Sequence, residues 1–136
     1  MTEPVGPPLG TLAKIIHLGL SAGLVVFVAG AWSLGQSAPG AVLPDLVVYL
    51  PLVVGAVVFA GAIVLRSRLL DSDGRGDDEW WRANLQRVIL LWALFEAPAL
   101  FGTAIYFVSR QWIPLVPTAV GFLFLVLHSP GQLRPE

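Results

Sequence analysis

Polar residues are confined to short clusters along the chain, and between them run four stretches that are almost wholly apolar: roughly 12–34, 43–65, 85–108 and 112–128. Within each stretch the apolar residues are continuous, not alternating, and this length of run favours helix over strand. At about 1.5 Å per residue, the first three are long enough to cross a hydrocarbon core of about 30 Å, and the fourth is near the lower limit. A bilayer offers no water to the backbone, so a crossing segment must satisfy its own N–H and C=O groups, as a helix does. The expected fold class is all-α: a polytopic membrane protein with four transmembrane helices in an up-down bundle. The expected division is a cytoplasmic tail 1–11, a transmembrane hairpin 12–66, a cytoplasmic polar loop 67–84, a second transmembrane hairpin 85–128 and a cytoplasmic tail 129–136.

Composition agrees with this pattern. Of 136 residues 56% are hydrophobic and 12% charged, against about 25% charged in soluble domains. The chain has no cysteine, which excludes disulfides and thiolate metal sites. A net charge of −1 gives no reason to expect nucleic acid as a partner. The first stretch is expected to be a span and not a signal peptide, because its leader "MTEPVGPPLG" is acidic and its apolar core is long.

Orientation follows from the basic residues. Lys14, Arg66, Arg68, Arg75, Arg82, Arg87 and Arg134 fall on the side that holds both termini, and Arg110 falls on the other. By the positive-inside rule both termini are expected to be cytoplasmic, and the expected location is a bacterial inner (plasma) membrane. Trp80 and Trp81 are expected in the inner aromatic belt, and Trp32, Tyr49, Tyr106 and Trp112 in the outer one. A cysteine placed at Ser72 should react with a membrane-impermeant thiol reagent only after cells are opened. One placed at Ser37 should react in intact cells once any outer membrane has been made permeable. The reverse pattern would overturn the orientation.

Small residues at four-residue spacing mark expected helix-packing faces: Gly19 and Gly23 in "GLSAG", Ala56 and Ala60, and Ala93 and Ala97. Without a hydrophobic driving force between helices, close backbone approach is what such residues provide. Pro51, Pro98 and Pro117 are expected kink positions, since proline removes one backbone donor. An internal duplication is also expected. "KIIHLGLSAGLVVFVAGA" from Lys14 lies over "RVILLWALFEAPALFGTA" from Arg87, and "PLVVG" from Pro51 lies over "PTAVG" from Pro117. Both hairpins begin on the same side, so they would be parallel repeats. Gly23 in the first half matches Glu96 in the second.

Glu96 is the candidate for chemistry. It stands inside "LWALFEAPALFG", near the middle of the third stretch. A charged side chain there costs at least about 2.5–3.5 kcal/mol on insertion scales. No basic residue lies at the same depth, so the neutral, proton-donating acid is the expected form. Its expected partners are the Leu94 carbonyl freed by Pro98, Thr103, or Ser21 on a neighbouring helix. Glu96 is thus either a structural hydrogen-bond donor or a reversible site for H⁺ or Na⁺.

"LQRVILLWALFEAPALFG" resembles the carboxylate-bearing helix of the rotor-ring proteolipids of ATP synthases, with Ala93, Leu94, Glu96, Ala97, Ala99 and Gly102 carrying the match. A duplicated hairpin that keeps one carboxylate is similar to the doubled proteolipids of vacuolar-type pumps. This resemblance implies ion binding at Glu96. The order "KIIH…G", a long polar loop, "E.PALFG" and a proline-terminated short last helix also resembles a group of small uncharacterised four-span bacterial membrane proteins. That resemblance implies four spans and no particular activity.

Other constellations carry less. In "DSDGRGDDE", Asp71, Asp73 and Gly76 fit three positions of a calcium loop, but Arg75 and Arg82 occupy ligand positions. His17 and His128 fall on the same side of the membrane, and His17 is a candidate axial ligand for a haem or chlorophyll. Backbone or water capping is the expected role of both, because their depths do not match well. Asp45 is a helix N-terminal acid favoured by the macrodipole. No catalytic residues, metal site or cofactor are expected, beyond H⁺ or Na⁺ at Glu96. The expected function is that of a small integral membrane protein without enzymatic chemistry: a helix-packing unit in the lipid bilayer, homo-oligomeric or an accessory subunit of a membrane complex. The alternatives are proton or Na⁺ binding and translocation through Glu96, and a haem or chlorophyll subunit using His17.

Overall fold

The computed structural model describes residues 8–37, 39–69 and 77–133, and shows four helices: α1 (Leu9–Gly35), α2 (Asp45–Leu69), α3 (Asp77–Ser109) and α4 (Leu115–Leu127). Three of them are long and apolar enough to cross a membrane, over Leu9–Gly35, Asp45–Arg68 and Asp78–Ser109. The protein is an all-helical chain of multi-pass membrane type. α4 has 13 residues, which at about 1.5 Å each reach about 20 Å, less than the hydrocarbon core. The apolar run 112–128 reads as longer because Trp112–Pro114 is not helix but the turn that opens α4, with Leu115 N–H bonded to the Trp112 carbonyl.

α3 also differs from expectation. It begins at Asp77, so the second half of the anticipated loop 67–84 is helical. Asp77, Asp78 and Glu79 open it, where the helix dipole favours negative charge. Burial supplies the rest. Trp80 and Trp81 are 2% and 4% exposed, and Asn84 beside them is also buried. These tryptophans are core, not an aromatic belt. The Trp81 indole lies under the start of α1, where a Cβ on Gly10 would stand 3.1 Å from Trp81 Nε1. At the other end Trp32, Tyr49 and Trp112 are exposed as a belt requires, while Tyr106 is buried behind Trp32, with the rings stacked at 5.9 Å.

α3 is the hub. It packs against α1, α2 and α4, whereas α1 and α2 do not touch each other. The first hairpin therefore does not close on itself. Its connection passes over the end of α3, where Ala41 N–H donates to the Val108 carbonyl at 2.8 Å. α1 and α2 flank α3 on two sides, and α4 fills a third, running antiparallel to α3. This is not the four-cornered bundle in which successive helices are neighbours.

The α3–α4 contact is the closest. A Cβ on Gly121 would fall 2.5 Å from the Phe95 carbonyl oxygen and 2.9 Å from Ala99 Cβ, and one on Gly102 would run into the Pro114 carbonyl. Both positions need glycine for backbone approach. A polar link crosses the same seam: Thr118 Oγ1 donates to the Ala99 carbonyl at 2.8 Å and lies 3.1 Å from Thr103 Oγ1. Pro51 and Pro98 are buried inside α2 and α3. Pro117 lies in the first turn of α4. There a missing N–H removes no helical bond, so Pro117 opens the helix and does not kink it.

Candidate functional site

The end of α4 is where the histidines meet. The last carbonyls of a helix have no partner within it, and in an apolar setting each orphan is costly. Here backbone N–H groups take the Phe124 and Val126 carbonyls, with His128 N–H on Phe124 at 2.9 Å, and side chains of α1, α3 and the C-cap residue add to them. His17 Nε2 on α1 lies 2.8 Å from the Leu125 carbonyl. His128 Nδ1 lies 2.9 Å from the Phe124 carbonyl. Trp92 Nε1 on α3 donates to the His128 carbonyl at 2.8 Å. A carbonyl only accepts, so His17 carries a proton on Nε2 and His128 one on Nδ1. The rings pack as well, with His17 edge-on to Trp92 at 4.9 Å and His128 against Phe95 at 4.9 Å. The expectation that the two histidines differ in depth is corrected: His17 packs on the Trp92 ring and the His128 carbonyl accepts from Trp92 Nε1, so both stand at the level of that one residue. The chemistry on view is helix capping, and it occupies His17 Nε2, one of the two atoms through which the ring could hold a haem or chlorophyll.

Glu96 is not in the core. It lies partly exposed on the flank of α3, next to the outward-facing Ala93 and Ala97. Among the described residues it makes no hydrogen bond. Thr103, one expected partner, bonds instead to the Ala99 carbonyl at 2.9 Å. Ser21 remains. Its Oγ is buried and has no partner. The contacts His17–Trp92 and Trp32–Tyr106 set α1 and α3 side by side and parallel. Ser21 is four residues beyond His17, and Glu96 four beyond Trp92. One helical turn past the His17–Trp92 contact, the two groups therefore stand at the same level, unbonded.

The small-residue pairs all face away from the chain's own core. Gly19, Gly23, Ala56, Ala60, Ala93 and Ala97 are exposed. A Cβ on Gly19 or Gly23 would meet nothing within 4 Å. Tight contacts between helices fall on Gly55, Gly102 and Gly121, none of which belongs to these pairs. Searches against family models, curated proteins and solved structures return no match. The site is therefore read from its own geometry.

Among the described residues no group of three or more His, Asp or Glu side chains could hold a metal. Asp71, Asp73, Arg75 and Gly76 of the calcium-like loop lie outside the described residues. Asp45 opens α2, as an acid at a helix N-terminus should. Asn84 and Thr118 escaped the sequence reading. Asn84 fell in the polar loop, and Thr118 looked like an isolated hydroxyl in an apolar run.

Proposed function

We propose that the chain is a four-span inner-membrane protein without enzymatic chemistry, acting as a helix-packing unit that self-associates or joins a larger membrane assembly. In this reading both termini are cytoplasmic, and α4 completes its crossing with the turns on either side of it. A tandem hairpin duplication has the parallel placing of α1 beside α3 in its favour, while the two hairpins pack differently, α3 closely on α4 and α1 apart from α2. One observation carries the proposal. Every helix long enough to span presents a pair of small residues outward: Gly19 and Gly23, Ala56 and Ala60, Ala93 and Ala97. In lipid, such pairs let a second helix approach closely.

The test is oligomeric state in bilayers, read by single-molecule photobleaching or by cross-linking. The wild type should run as more than one copy. Gly19→Leu with Gly23→Leu, or Ala93→Leu with Ala97→Leu, should shift it to the monomer without lowering its melting temperature. A wild type that is monomeric in the bilayer removes self-association, and leucine pairs that change nothing remove these faces.

A second reading is favoured by Glu96 itself, a half-exposed acid with no hydrogen bond among the described residues, level with an unpartnered Ser21 hydroxyl. In it Glu96 binds H⁺ or Na⁺ between α1 and α3. The third reading, a haem or chlorophyll subunit using His17, has only Nδ1 of that ring to offer.

A further inference from the structure

At the end of the fold where α3 stops, Arg110 has a conformation that its residue type does not favour. Its φ is 59°, the left-handed region that glycine or asparagine usually fills. For other residues that conformation costs about 1–2 kcal/mol. The backbone turn alone would be served better by glycine, so the side chain must account for the arginine. That side chain folds back over the chain. Its guanidinium carbon lies 4.6 Å from the centre of the Phe107 ring. Nη1 is 3.5 Å from the Ala31 carbonyl, at the limit of a hydrogen bond. Nε is buried and has no partner. The guanidinium has five N–H donors; among the described residues one makes a weak bond, and Nε, being buried, is out of a ligand's reach, which leaves donors on the two Nη atoms.

Directly beneath lies a groove of about 450 Å³ between α1 and α3. Ala31 and Phe107, which with Gly35 and Gly40 are among the residues that Arg110 packs against, line its near end, and Phe27, Gly30 and Ala104 continue it away from Arg110. Its walls are almost entirely apolar. A second groove, between α1 and α4, is larger at about 560 Å³ and is lined by Val25, Ala29 and Trp32 among others; neither lining includes a cation, but Arg110 stands against Ala31 and Phe107, which belong to the first groove.

We propose that Arg110 and the α1–α3 groove form a binding site for one phospholipid, with an acyl chain in the groove and the headgroup phosphate on the guanidinium. The occupant follows from the two halves together. An apolar channel open along the bilayer takes a hydrocarbon chain. A cation with free donors at the mouth of that channel, at headgroup depth, takes a phosphate, for which the arginine fork is well shaped. Under the positive-inside reading this is a lipid of the outer leaflet, held at the one basic residue on that side.

The test uses the full-length protein, delipidated in mild detergent and read by native mass spectrometry. Added phosphatidylglycerol should be retained as one copy, and diacylglycerol with the same chains should not. Glycerol phosphate, which has the phosphate without chains, should fail to displace it. Arg110→Gln should weaken retention about tenfold or more, the effect of one lost charge-assisted bond, while Arg110→Lys should keep part of it. Ala104→Phe fills the groove from an outward-facing position, so it should abolish retention with Arg110 intact and folding unaffected. Ala29→Phe, in the other groove, should change nothing. Equal retention of diacylglycerol, or wild-type retention by Arg110→Gln or Ala104→Phe, overturns the proposal.

Discussion

Gly121→Ala should destabilise the fold by at least about 1–3 kcal/mol, the usual cost of forcing a methyl into a filled core. Gly121→Leu should prevent α4 from docking. The new Cβ would stand 2.5 Å from the Phe95 carbonyl oxygen and 2.9 Å from Ala99 Cβ. Both obstacles are fixed by the α3 backbone, so neither can swing aside as the tip of a long side chain could. Relief requires α4 to move off α3. That movement would also stretch the bond from Thr118 to the Ala99 carbonyl and the bond from Trp92 to the His128 carbonyl. Gly19→Ala is the matched control, because its Cβ would meet nothing within 4 Å. Thermal unfolding in detergent, followed by tryptophan fluorescence, should show a clear drop in Tm for Gly121→Ala and none for Gly19→Ala. Equal Tm values would mean that α4 is not seated on α3 as described.

The contrast between those two glycines marks how far a sequence can be read here. The spans were legible because the bilayer imposes one requirement on every crossing segment, and a long apolar run states it directly. Which face of a span packs inward was not. The pair Gly19 and Gly23 has the right spacing for close packing, yet α1 turns it outward. The inward face of α1 is set by Ala13, Leu24 and Ala31, residues no different in type from their exposed neighbours. In lipid, hydropathy does not separate inside from outside, because both are apolar. Gly102 and Gly121 were invisible for the same reason: each is a lone glycine whose meaning lies on the opposite helix.

The boundary of α3 was missed by a different route. "DDEWWRAN" is polar enough to pass for loop. It is helix because its acids suit the N-terminal dipole and its tryptophans have somewhere to go, under α1. His17 and His128 do lie at one end of the fold, both against Trp92, but that depended on how α4 docks on α3, which its apolar run does not state. No pattern within residues 112–128 shows that Trp112–Pro114 is spent on a turn.

For Glu96, the expected result is that a hydrophobic carbodiimide labels it at neutral pH. Such reagents need a protonated carboxyl in an apolar setting, and the acid sits near mid-span, partly open to lipid. Glu96→Gln should abolish the label and leave stability unchanged. Glu96→Leu separates two roles. Had the acid been glue within the chain, removing it would strand an acceptor and cost about 1–3 kcal/mol. Among the described residues it bonds to nothing, so Glu96→Leu should unfold no earlier than the wild type, and should insert more readily by at least about 2–3 kcal/mol. A large loss of stability would show that a partner forms in the bilayer and that the acid is structural. With stability intact, labelling decides what remains. An ion site should be protected by Na⁺, or should take up protons in liposomes in a way that Glu96→Gln abolishes. Ser21, whose buried hydroxyl stands at the same level, should then act as the second ligand, and Ser21→Ala should weaken that protection. If neither cation has any effect, ion binding at Glu96 is ruled out. The half-exposed acid beside Ala93 and Ala97 is then a donor for an adjoining helix, and Glu96→Leu should lower the oligomeric state as the leucine pairs do.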